Sequence, residues 1–148
     1  MFIDRRESPA DRDRLRQEVA KLLAWLGESS PQALCAEYTP PVDVVDTEDA
    51  IEIVADIPGV PRDAVRVVFT QSAVVIAGRK AATGCEHREA AFHFAERTFG
   101  LFARVIRISA AVDATRARAT LNAGELHISL PRIGERRGPD IPIAIESV

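Results

Sequence analysis

The residues with the most chemistry to offer are three histidines and two cysteines. Cys85, Glu86 and His87 stand together, and His93 follows shortly after. A thiolate, a carboxylate and two imidazoles are the donor types that suit zinc. Their spacing matches none of the common zinc patterns, so they read as solvated loop residues and no metal is expected. Cys35 lies far away in a Ser/Pro-rich stretch. With neither a CxxC pair nor a disulfide framework, both cysteines suit a reducing compartment. His127 and Ser129 are two apart, on one side of an alternating segment, and read as an outer polar face rather than a base and nucleophile. The chain has no Gly-rich phosphate loop and no nucleophile elbow. The expectation is therefore no catalytic residue, no cofactor and no enzyme activity.

What remains is the chemistry of sheet edges. Near the end of the sequence Ile141, Ile143 and Ile145 alternate with Pro142, Ala144 and Glu146. A disordered tail is usually polar. Three isoleucines on one face of an extended segment call for a docking place, as a strand added to an open sheet. Pro142 holds φ near its extended value and lacks one donor, which an added edge strand tolerates.

The elements that would present such an edge begin with a tight strand pair. Ala117, Ala119 and Leu121 alternate with Arg116, Arg118 and Thr120. After Asn122-Ala123-Gly124, Leu126, Ile128 and Leu130 alternate with Glu125, His127 and Ser129. This is period two on both arms of a hairpin, with Gly124 suited to a positive φ and Pro131 closing the second arm. Upstream, Val42–Val45, Ile51–Ile57, Val65–Phe69, Ala73–Arg79 and Phe102–Ile108 read as further strands, with Gln71-Ser72 a hairpin turn. Phe92 and Phe94 also alternate with His93 and Ala95, after a polar loop from Lys80 to Ala91. Eight or so short strands without intervening helices imply an all-β, immunoglobulin-like antiparallel sandwich.

One helix precedes it. Ser8 can cap, Pro9 suits the first turn, and Leu15, Val19, Leu22 and Leu26 follow at helical spacing with Leu23 and Trp25 on the flanks, up to Gly27. Its charges are balanced, which argues against an anionic membrane surface. The apolar stripe must be buried on the domain, in oligomers or against client proteins. Residues 1–40 thus read as a helical, flexible arm, 41–132 as the sandwich and 133–148 as an extended tail.

The chain has 148 residues, 47% of them hydrophobic and 28% charged, a globular balance. A net charge of −3 gives no strong field for nucleic acid. The N-terminus lacks the apolar core of a secretory signal, and no apolar run is long enough to span a bilayer. A cytoplasmic location is the expectation.

Six segments, in order, resemble the small heat-shock protein (Hsp20, α-crystallin domain) family from about Pro41 to Ile145. They are Pro41–Val44, Ala55-Asp56-Ile57-Pro58-Gly59-Val60, Ile76-Ala77-Gly78-Arg79, Glu96–Arg104, the Ala-x4-Gly-x-Leu-x-Ile-x-Leu-Pro run from Ala119 to Pro131, and the Ile-x-Ile tail. Two departures are Ala123 where Asn is common and Ile108-Ser109 where the strand usually ends in a proline. The resemblance implies a holdase chaperone without ATPase activity, assembling from dimers into larger homo-oligomers and binding unfolding clients. It implies a tail-docking groove lined by Val65, Val67 and Phe69 on one side and Ala117, Ala119 and Leu121 on the other. Ile141 and Ile143 are the preferred docking pair. It also implies a dimer interface at Phe92, Phe94, Glu96 and Arg104. An adapter of the p23 type, with a related sandwich and one defined partner, is the alternative.

Overall fold

Period-two patterning dominates beyond residue 41, and the backbone follows it. A computed structural model describes residues 8–25, 37–82 and 91–134. Within these, helix α1 (Pro9–Trp25) precedes seven strands: β1 (Val42–Asp46), β2 (Ala50–Asp56), β3 (Val65–Thr70), β4 (Ala73–Lys80), β5 (Gly100–Arg107), β6 (Arg118–Asn122) and β7 (Glu125–Pro131). One sheet has the order β1-β2-β7-β6 and the other β3-β4-β5. All strand pairings are antiparallel. The sheets face each other as the expected sandwich.

The core lies where the inward positions of both sheets meet. Ile51, Ile53 and Ala55 of β2 and Leu126, Ile128 and Leu130 of β7 pack against Val74 and Ile76 of β4 and Phe102 and Ile106 of β5. Phe102 is wholly buried. It fits because Gly78, its register partner, has no side chain. A Cβ there would lie 2.4 Å from the Phe102 ring and 2.7 Å from the Ala64 carbonyl oxygen.

Helix α1 starts as its residues dictate. Ser8 Oγ accepts from the Asp11 backbone N–H at 3.2 Å and donates to the Asp11 carboxylate at 2.9 Å. The helix lies on the outer face of β3-β4-β5. Leu15 packs on Ala73 and Val75, and Leu23 packs on Ala77 and Leu101, with Val19 and Leu22 between them. Strand β4 is consequently buried on both faces from Ala73 to Gly78. The apolar stripe of α1, expected to find cover somewhere, finds it on the chain's own sheet. Leu26 lies outside the described residues.

Two stretches differ from the sequence expectation. Strand β6 begins at Arg118 rather than Arg116. The Asp113 side chain accepts from the Thr115 backbone and hydroxyl at 3.0 and 2.6 Å, fixing a 3-10 turn over Ala114–Arg116. The Thr115 bonds hold the Asp113 carboxyl below its ordinary value. The segment from Phe92 to Glu96 alternates but forms no strand within one chain. Seven strands, not eight, are therefore present among the described residues. The β6–β7 turn keeps its geometry despite Ala123, which takes a φ of 49° beside Gly124 at 86°.

The Gly78→Ala chain should fold with a thermal midpoint lowered by several degrees, because overpacking a filled core costs about 1–3 kcal/mol. Differential scanning calorimetry checks this. An unchanged midpoint would mean that the Phe102 ring is not confined as described.

Candidate functional site

A sandwich of two open sheets has four edge strands, and here they are β1, β6, β3 and β5. An edge strand carries unpaired backbone donors and acceptors along one side. The fate of each edge decides what the molecule can bind.

The β5 edge is partly covered. The Glu37 N–H donates to the Leu101 carbonyl at 2.7 Å, and Tyr38 forms a parallel bridge with Phe102. The Tyr38 ring stacks obliquely on Phe102 with centroids 5.4 Å apart. Its hydroxyl is closed off from water and finds no partner among the described residues. Burial pushes the Tyr38 phenol above its ordinary 10.0, because the phenolate is the form that loses hydration.

The β3 and β6 edges face one another across a groove of about 530 Å³. It is lined by Val65, Val67, Ala119, Thr120, Leu121 and Leu126, with Arg62 and Arg66 at its rim. Register explains the opening. Ala119 and Leu121 pair with Ile128 and Leu126, so they occupy inward-facing positions. Yet Ala119 is exposed and Leu121 only half-buried, because the second sheet stops at β3 and does not reach over them. Four of the six residues expected to line a groove are thus brought together: Val65, Val67, Ala119 and Leu121. Phe69 and Ala117 pack against the main core, as Val67 and Leu121 also do, but are not among the residues that line this groove. Sequence reasoning did not single out Arg62, Arg66, Thr120 or Leu126. Arg66 alternates with Val65 and Val67 and would pass for a solvated outer residue.

The β1 edge is exposed as well. Val44 and Val45 are 48% and 53% accessible. Phe92 and Phe94 are 75% and 86% accessible, an unusual state for two phenylalanines two residues apart. Glu96 is exposed too. Arg104 does not lie on an exposed outer face. It shares the inward parity of Phe102 and Ile106, pairs in register with Ile76 and is half-buried.

Polar residues singled out for chemistry are engaged elsewhere. His127 Nε2 lies 3.1 Å from Glu125 Oε2, and Ser129 Oγ donates to Glu52 Oε1 at 2.7 Å, both on the outer side of their sheet. Among the described residues no group of three or more His, Cys, Asp or Glu is arranged to hold a metal, and no helix is long and apolar enough to cross a membrane. Cys35, Cys85 and His87 lie outside the described residues, as do Ile141, Ile143 and Ile145.

Known proteins supply the comparison. The profile of the Hsp20/alpha crystallin family matches residues 43–146. Heat shock protein 16 of Schizosaccharomyces pombe is 32% identical over 98 residues, covering 66% of this chain and 68% of the relative. The solved structure of heat shock protein 16.0 from Schizosaccharomyces pombe superposes with a TM-score of 0.62 at 32% identity, over 74% of this chain and all of that one. A small heat-shock protein from Xylella fastidiosa, described as having a distinct high order structure, superposes with a TM-score of 0.58 at 25% identity, over 76% of this chain and 99% of that one.

Tyr38 is the only tyrosine, so its titration can be read directly. Its phenolate absorbance should appear above pH 10 in the folded chain and return to about 10 in denaturant. The sign follows from linkage: the stability due to neutral Tyr38 is complete below pH 10 and is lost as pH rises through the higher folded value. A folded-state midpoint at or below 10 would contradict the burial of this hydroxyl.

Proposed function

The chain belongs to the Hsp20/alpha crystallin family, and on that premise we propose that it is an ATP-independent holdase that gathers through its sheet edges and shelters unfolding proteins. The observation that carries this reading is the groove between β3 and β6. It carries the apolar side chains of Val65, Val67, Ala119, Leu121 and Leu126 beside Thr120 and two arginines, and it is open along two backbone edges. Such a cleft suits an extended apolar strand. The sequence supplies one in Ile141-Pro142-Ile143-Ala144-Ile145. In this reading residues 1–40 are the arm, 41–132 the α-crystallin domain and 133–148 the docking tail.

Magnitudes fix the character of the contact. Two buried isoleucines gain roughly 3–6 kcal/mol. Added-strand hydrogen bonds contribute about 0.5–1.5 kcal/mol each. Ordering five tail residues costs about 5–10 kcal/mol, lessened because Pro142 is already restricted. These terms nearly cancel, so one tail exchanges readily. Several tails in one assembly hold through effective concentration. A vacated groove presents apolar lining and unpaired backbone to any unfolding chain, which it stabilises by mass action without nucleotide.

The dimer follows from the other edge. Phe92 to Glu96 pairs as a strand with the partner's β1, burying Phe92 and Phe94 and giving Val44 and Val45 neighbours. This supplies the missing strand and explains why the segment alternates without pairing inside its own chain. Arg104 is assigned to the same interface. The partners are then further copies of this chain and unfolding clients, with no nucleic acid and no cofactor. The protein acts in the cytoplasm and is not an enzyme.

Helix α1 bears on the client surface. Its contacts with β4 hide Leu15 and Leu23 on one side and Ala73, Val75 and Ala77 on the other. A helix of this length is marginal by itself, so its detachment on heating uncovers both surfaces together. Trp25, already 44% exposed, is the first of these residues available to a client.

Two measurements test the proposal. The chain with Ile141, Ile143 and Ile145 replaced by Gly should run as small species, chiefly dimers, by light scattering, where the parent forms large assemblies. An unchanged large assembly would contradict tail docking. Removal of residues 1–36 should weaken suppression of heat-induced aggregation of a model client at equal subunit concentration. Full protection by the shortened chain would contradict a client role for the arm, and a strictly monomeric parent on gel filtration would favour the p23-type adapter.

A further inference from the structure

Arg66 joins two parts of the molecule. Its guanidinium carbon sits 3.8 Å from the ring centroid of Trp25, the last residue of α1, and the same residue is among those that line the groove between β3 and β6. The charged residues lining that groove are Arg62 and Arg66, both cationic. Asp63, exposed in the turn between them, is the nearest acid in sequence.

Parity relates these cations to the tail. On β3, Val65 and Val67 face the core while Arg66 lies on the opposite face, where α1 packs. A strand added beside β3 alternates in the same way. If Ile141, Ile143 and Ile145 share the face of Val65 and Val67, then Asp140 and Glu146 share the face of Arg66. Residues on one face of adjacent strands are neighbours directly or diagonally, within reach of a long side chain. The tail thus brackets its isoleucines with acids on the side where the groove carries its arginines.

Resting on the docking reading above, we propose that the groove selects an acid-flanked Ile-x-Ile strand, the 140–146 segment of a chain of this protein, through Arg66, and that Trp25 of α1 holds the guanidinium ready for it. Stacking uses the flat face of the guanidinium, and its N–H edge remains available to a carboxylate. A side chain already held on a ring loses less freedom when the carboxylate arrives. Helix docking and tail docking are therefore linked, and linkage is reciprocal: each strengthens the other. Detachment of α1 on heating loosens the tail in the same step, so client surfaces and assembly respond to one event.

The test uses the full chain with Ile141, Ile143 and Ile145 replaced by Gly, which leaves its groove empty, and a labelled peptide of sequence 138–148. Fluorescence anisotropy gives the affinity. A partly exposed ion pair corresponds to a factor of about two to five. The peptide carrying Asp140→Asn or Glu146→Gln should bind about three-fold more weakly, with the effect shrinking at high salt. Loss at Asp140 marks Ile141 and Ile143 as the docked pair, and loss at Glu146 marks Ile143 and Ile145; either supports the proposal. In the Arg66→Gln chain the acidic and neutral peptides should bind alike. Trp25→Ala should weaken the acidic peptide and add nothing to Arg66→Gln. As a second readout, the emission of Trp25, the only tryptophan, should shift on peptide addition in this glycine-tailed chain and not when it also carries Arg66→Gln. If no peptide binds, tail docking itself fails. If all peptides bind alike, or Trp25→Ala leaves the affinity unchanged while the peptide still binds, docking stands and the role of Arg66 and Trp25 is overturned.

Discussion

Everything in this molecule follows from a sandwich that does not close. Two sheets share one apolar core, but no hydrogen-bond ladder runs from β3 to β6 or from β1 to β5. Closure would have satisfied every backbone group and left nothing to bind. Without it, four edges carry unpaired donors and acceptors, and each has a different fate. Glu37 and Tyr38 cover part of β5. The other three, β1, β3 and β6, are open among the described residues, and two of them frame the groove.

The core makes this openness stable. Phe102 seated over Gly78 and the facing rows of β2 and β7 hold the sheets at a fixed separation without help from the edges. Helix α1 adds a third layer over β4, so the middle strand of the smaller sheet is dry on both faces. A rigid centre with weakly occupied margins divides the labour. Stability resides in buried side chains, and the unpaired backbone groups lie at the margins. Under the proposed holdase role, such a division lets partners be taken up and released without chemical energy.

Much of this was legible in the residues. The strands were, because alternation on β2, β6 and β7 leaves one register in which Ile, Leu and Ala face inward. The groove was legible only through family resemblance; the opening itself depends on β3 stopping short of Ala119, which no local pattern states. The outer layer was the larger gap. The unbroken apolar run from Ala73 to Ala77 carried the signal, since a strand apolar at every position is buried on both faces, and Leu15, Val19, Leu22 and Leu23 were its natural cover. The start of β6 was misjudged because alternation at Arg116 and Ala117 gave way to a turn capped by Asp113. Phe92 and Phe94 show a strand pattern that one chain by itself does not pair.

The most direct measurement of the central claim is amide hydrogen exchange along β3 and β6 in the assembled parent chain and in the chain whose three tail isoleucines are glycine. Occupied edges predict slow exchange at the outward-facing amides of residues 65–70 and 118–122 in the parent, faster exchange at those amides in the variant, and no change in β2 or β7. Equal exchange in both chains would contradict the account, because it would mean that the groove margins are never covered by the tail.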